Sequence, residues 1–219
     1  MMTMKFKAIL FICAFTVALV GCKDKAKEAE TSAAEAAAKA EAAAVKYVAD
    51  TNASTIEWKG FKPTGSHNGI IKLESGVVKV NNGSIESGSF LVNMASINVL
   101  DIPAEDEGNG KLLGHLKSPD FFDVENHPSA AFEITGITEV DGKTMLSGNL
   151  TLKEVKNNIT FPVTVSQNGD VMSLISETFT IDRSKWNVKY GSKSFFDNLG
   201  DKFINDDMEL KVNLTAKKS

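Results

Sequence analysis

From Thr55 to Ala216, apolar side chains recur at every second position, in runs broken by Gly and Asn pairs. That period fits strands and leaves no room for a long amphipathic helix. The runs are 55–61, 67–73, 77–80, 84–98, 130–140, 144–152, 158–166, 171–181 and 208–216. Asn81-Asn82-Gly83, Asp141-Gly142 and Asn168-Gly169-Asp170 place residues tolerant of positive φ where short hairpins need them, so sequential strands are expected to pair with their neighbours. An all-β, antiparallel, up-and-down meander follows. A sheet of about eight such strands that closes into a barrel removes its own edges and encloses an apolar interior.

Alternation assigns the inward faces: Ile56 and Trp58, Phe132 and Ile134, Leu150 and Leu152, Ile159 to Val165, and Leu210 to Leu214. Two long excursions interrupt the meander. Residues 101–128 are expected to hold a short helix around Lys111 to Leu116, and residues 183–207 carry Gly191, Gly200 and adjacent phenylalanines. Long excursions on a compact β-scaffold serve as lids or mouths. Phe121-Phe122 and Phe195-Phe196 are read as plugs of the barrel mouths, with simple loop anchoring as the alternative.

Upstream of the barrel the chain changes character. Lys5 and Lys7 precede an apolar run from Ala8 to Val20 that is too short for a bilayer span of about 20 residues and suits a signal peptide over residues 1–21. Leu19-Val20-Gly21-Cys22 resembles the lipobox of bacterial lipoproteins, in which the cysteine receives acyl chains such as palmitate. Cleavage before Cys22 changes the formal charge from −4 to −6 by removing Lys5 and Lys7, and removes Cys13. One acylated thiol is then left, with no disulfide, CxxC pair or thiolate metal cluster. Each buried acyl methylene contributes about 0.8 kcal/mol, so several chains anchor the protein firmly in a membrane of the bacterial envelope, periplasm-facing or at the cell surface. Residues 22–46 are rich in Ala, Glu and Lys; they lack the large apolar stripe of a coiled coil and read as a semi-rigid helical spacer. The folded domain is then 47–219.

Several chemistries are disfavoured. A net charge of −4 with one arginine, Arg183, does not suit a protein that grips nucleic-acid phosphates. His67, His115 and His127 form no HExxH or HxH spacing, so no metal site or cofactor is implied. His115 reads as a helix cap or loop tie, Glu105-Asp106-Glu107 as a solvated surface, and Asp182-Arg183 as a structural pair. No nucleophile elbow is present, and the chain does not read as an enzyme.

The segment from Gly114-His115-Leu116-Lys117-Ser118-Pro119-Asp120-Phe121-Phe122-Asp123-Val124 to Ala131-Phe132-Glu133-Ile134 resembles the signature of the YceI-like lipid-binding family. Ser147-Gly148-Asn149-Leu150-Thr151-Leu152, Ile159-Thr160-Phe161-Pro162-Val163 and Ile181-Asp182-Arg183-Ser184 are similar to its later motifs, so the likeness runs from Tyr47 to Ala216. Leu113-Gly114 stand where the family usually has an arginine-aspartate pair. The resemblance implies a lipocalin-like barrel that binds a polyisoprenoid or fatty-acyl chain in an apolar cavity. The wall residues expected to touch such a ligand are Trp58, Phe132, Ile134, Leu150, Phe161, Val163, Phe179 and Leu210, each of which serves equally well as ordinary barrel core.

The expected partners are thus a lipid and, through Cys22, a membrane, with no nucleic acid; a homodimer is left open. The rival reading is an envelope lipoprotein with a filled barrel and a structural or partner-binding role.

Overall fold

The computed structural model describes residues 26–219; the apolar run, Cys22 and the first tether residues lie outside them. Twelve strands form one sheet. They are β1 (Lys27–Glu28), β2 (Glu30–Ala33), β3 (Val45–Ala49), β4 (Thr55–Lys62), β5 (Gly65–Asn81), β6 (Ser84–Val99), β7 (Ser129–Val140), β8 (Lys143–Leu152), β9 (Val155–Asn168), β10 (Val171–Ser176), β11 (Phe179–Asp182) and β12 (Asp207–Lys218). One α-helix, α1 (Glu107–Lys117), sits in the excursion between β6 and β7, capped by the Asp106 carboxylate on the Gly108 amide.

From β5 to β10 every strand is antiparallel to the next in sequence. β12 closes the circuit, pairing with β10 and β11 on one side and with β3 and β4 on the other. Taking β3 with β4 and β10 with β11 as two interrupted strands, and setting β1 and β2 apart, eight strands surround the barrel. The meander and its closure are as the alternation predicts. One end carries the tight hairpins, where Asn82-Gly83 and Asp141-Gly142 take positive φ. The other end carries both excursions and the β8–β9 turn. There Lys153 and Glu154 adopt φ of 46° and 64° without the glycine or asparagine that would signal it. The Lys153 Nζ holds this turn by donating to the Phe121 carbonyl at 2.9 Å.

The tether differs from its sequence reading. Residues 26–46 form no helical spacer; they run extended along the barrel. β1 pairs in parallel with β11, and β2 pairs antiparallel with β9. The Asn149 side chain then holds the Glu35 backbone on both sides, and the Ala38 amide donates to the Ile134 carbonyl at 2.9 Å. A short peptide of Ala, Glu and Lys has only marginal helicity in water, and unpaired strand edges offer its backbone better partners. The barrel also starts earlier than residue 47, since β3 begins at Val45.

The loop end is organised by Arg183, which is 1% exposed. Its guanidinium donates to the carbonyls of Val188 (2.6 Å), Tyr190 (2.9 Å), Ile204 (3.1 Å) and Asn205 (3.1 Å). It lies 3.4 Å from the Asp206 carboxylate and packs over the Phe121 ring. The partner is therefore Asp206; Asp182 instead caps the Ser184 amide. Burial pulls the Arg183 pKa down, and Asp206 and Asp182 oppose that shift. Replacing Arg183 by Met leaves four carbonyls without their donor and Asp206 without its counter-charge, so a loss of about 3–5 kcal/mol is expected in urea unfolding. Arg183→Lys is expected to recover little of it, because one ammonium cannot span the same carbonyls.

Candidate functional site

Inside the barrel lies a cavity of about 100 Å³ whose lining is entirely apolar, with no polar side chain among the residues that form it. Phe132, Leu150, Phe161, Phe179 and Leu210 stand on its wall, as part of the set named from the sequence. Trp58 lines a second chamber of about 60 Å³ toward the loop end, which shares Leu210 with the first. The Trp58 indole donates to the Asn98 carbonyl at 3.2 Å. Ile134 and Val163 are buried in the barrel core away from both spaces. The wall also includes residues the sequence reading did not single out for this role, among them Phe90, Val92, Leu146 and Leu174. Their alternation with polar neighbours in strands 84–98, 144–152 and 171–181 was the available signal.

Aromatic rings fill the middle of this space. Phe161 and Phe179 stack at 4.2 Å between centroids and 10° between planes, and Phe132 leans on Phe161 at 5.8 Å. Gly148 makes room for Phe132: a Cβ there would come within 2.2 Å of the ring. Gly76 does the same for Phe90, at 2.4 Å.

The loop end is closed by Phe121 and Phe122, both buried and packed edge to face, with Trp186 fully buried nearby. His115 packs edge-on against Phe121 and Tyr190. Phe195 and Phe196 do not plug the mouth: they are 44% and 50% exposed, on a loop whose base is held by Arg183 while its tip projects outward. A wider depression of about 630 Å³ lies elsewhere, but Lys46, Glu74, Glu133 and Lys156 line it and Lys156 pairs with Glu133. Its charged rim suits water better than a lipid chain. Among the described residues no group of three or more His, Cys, Asp or Glu could hold a metal ion.

At the loop end Asp101 clasps the start of β5, accepting from the Asn68 amide and meeting the His67 ring, both at 2.8 Å. Burial pushes the Asp101 carboxyl up, but these hydrogen bonds favour its charged form and leave it below the ordinary carboxylate range.

The fold and site thus define an antiparallel β-barrel around an apolar cavity. The chain belongs to the YceI-like domain family, whose pattern matches residues 47–216. It is similar to the crystal structure of BcnA from Burkholderia cenocepacia, at 25% identity and a TM-score of 0.62 over 77% of this chain and 99% of that one. A polyisoprenoid-binding domain from Saccharophagus degradans, implicated in plant cell wall breakdown, shares the fold at 12% identity and a TM-score of 0.57, over 80% of this chain and 99% of that one. No curated protein sequence matches the chain.

Two outcomes are expected. Gly148→Ala drives a methyl into the Phe132 ring and lowers stability by about 1–3 kcal/mol, and Phe132→Leu in the same chain restores part of the loss; urea midpoints of the two single variants and the double variant measure the coupling. Because the Asp101 pKa is depressed, its contribution is present at neutral pH and disappears as pH falls through its folded value. Asp101→Asn should therefore be less stable than the parent at neutral pH, with the gap closing in acid when the same midpoints are followed downward in pH.

Proposed function

We propose that this protein is a membrane-tethered envelope lipoprotein that holds one long apolar chain, a polyisoprenoid or a fatty-acyl lipid, inside its barrel for sequestration or transport. The observation that carries this reading is the wholly apolar lining of the cavity. A cavity without hydrogen-bonding groups stays dry and favours a hydrocarbon guest over water. The family of the chain and its likeness to a polyisoprenoid-binding domain support the same reading. The signal peptide over residues 1–21 and the lipidation of Cys22 belong to this proposal, since both lie outside the described residues.

The space of about 100 Å³ is well below the roughly 300–1,000 Å³ that small-molecule pockets occupy. A long chain therefore needs a wider space, and parting Phe161 from Phe179, the stack at its centre, is the movement that provides it. Specificity for the tail is expected to be poor, because apolar contacts discriminate by only about 1–3 kcal/mol per methylene.

All the pairings that close the barrel lie within residues 27–218, so a chain beginning at Ala26 retains every described strand. That chain, purified from cells and compared in native and denaturing mass spectra, is expected to carry a stoichiometric lipid of defined mass. A clean apo-protein that also takes up no long-chain fatty acid or isoprenoid would favour the filled-barrel alternative. Phe179→Ala separates the two further: it is expected to cost about 3–5 kcal/mol, and a saturating fatty acid is expected to offset part of that loss only if the cavity takes a guest.

A further inference from the structure

The barrel wall is interrupted along one line. β10 follows β9 from Asn168 to Val163, but past Ser176 the chain bends away, and β11 pairs with β12 on one side while its other edge turns from β9. The lower half of β9, Asn157–Thr160, is thus left facing β11 across a gap. Residues 27–33 fill that gap, with Lys27 and Glu28 opposite Phe179 and Thr180, and Glu30 to Ala33 opposite Thr160 to Asn157.

We propose that the facing edges of β9 and β11 form a strand-addition site for an extended segment of small and polar residues. Its occupant here is the chain's own residues 27–33, and release of that strand opens a lateral portal to the cavity. The portal half of this proposal rests on the carrier reading; the strand-addition half stands without it.

Three observations converge on this seam. Phe161 and Phe179, one on each lip, stack directly behind the inserted strand, so parting the lips also parts the rings that fill the cavity. Side chains add little to the hold on the inserted strand: Lys, Glu, Thr and Ser dominate it, Ala29 is its buried residue, and the Glu28–Lys185 ion pair at 3.3 Å is solvent-exposed. Its hold is mainly backbone hydrogen bonding, such as the Ala29 amide to the Thr180 carbonyl at 2.8 Å, which contributes only modest net stability per bond.

Beyond the strand a latch secures it. Asn149, 2% exposed, accepts from the Glu35 amide at 3.0 Å and donates to the Glu35 carbonyl at 2.7 Å. Asn158 holds Asn149 in place from below, donating to its Oδ1 at 3.1 Å and to Thr135 at 2.8 Å. Asn149 and Asn158 alternate with Leu150 and Ile159 of the cavity wall, so the latch sits on the outer face of the sheet. Neutral hydrogen bonds of this kind open reversibly. Cys22 lies only five positions before Lys27 in the sequence, so lipidation there would keep the portal within short reach of a bilayer.

The chain from Ala26 contains no cysteine, so Glu30→Cys with Thr160→Cys introduces one closable pair at opposed register positions. Uptake of a dansyl-labelled long-chain fatty acid is expected to be about tenfold slower in the oxidised form than in the reduced form, and faster than in the parent in Asn149→Ala. Equal loading rates before and after reduction overturn the portal. Hydrogen exchange reads the strand without any ligand: amides of residues 29–38 are expected to exchange by local opening, well ahead of β5 and β6. Exchange of those amides only in step with the central ladder overturns the strand-addition site. Local exchange combined with no probe uptake by any form defeats the carrier reading, and the portal with it, while leaving the strand-addition site intact.

Discussion

The hydrogen-bonding demand of strand edges governs this molecule. Each edge of a sheet presents a row of amides and carbonyls that must find partners or face water, and a barrel meets the demand by joining its first and last strands. Here β12 performs the closure, reaching β10 at one end and both β3 and β4 along its other side. The break between β10 and β11 means that one strand cannot satisfy β9 along its whole length. The unmet half is met by residues 27–33, whose composition alone gives no hint of strand.

The interior shows the same economy on the side-chain level. Large rings from β7, β9 and β11 meet at the axis because glycine stands opposite one of them, and a second glycine accommodates Phe90. The Arg183 hub organises the loop end, and the wholly apolar space lies beneath it at the centre. Arg183 matters here in an indirect way. By satisfying four carbonyls of the 188–205 loop from beneath, it lets that loop be irregular without leaving buried backbone groups unpaired, and it seats Phe121 as the roof.

Much of this was legible in the sequence, for physical reasons. Alternation over 130–166 and 208–216 encodes a one-sided sheet, and Asn-Gly and Asp-Gly pairs encode tight hairpins, so the meander, its closure and five cavity-wall residues could be read directly. Three features could not. The Lys153-Glu154 turn has no turn residues, and the contact that accompanies it, to Phe121, comes from a segment distant in sequence. Trp58, Ile134 and Val163 share the inward face but lie above or below the cavity, and height along a barrel depends on strand stagger, which alternation does not report. Residues 26–46 follow local helix propensity on paper, whereas a partner edge far away in sequence overrides it.

The stack at the centre sets a threshold on what can be bound. Separating Phe161 from Phe179 forfeits an aromatic contact of about 0.5–1.5 kcal/mol and requires neighbouring side chains to shift within a close-packed core. Each methylene that follows into the dry space returns about 0.8 kcal/mol. A guest of two or three carbons barely recovers the cost of parting the rings and has its own translational freedom to lose. A chain of a dozen or more carbons recovers it several times over, and every further methylene adds to the margin until the cavity reaches the roof at Phe121 and Phe122. Selection by length, and not by chemical detail, is therefore what a wall of this composition can achieve. Any discrimination among head groups must come from the polar residues outside the cavity, where the head would remain in water.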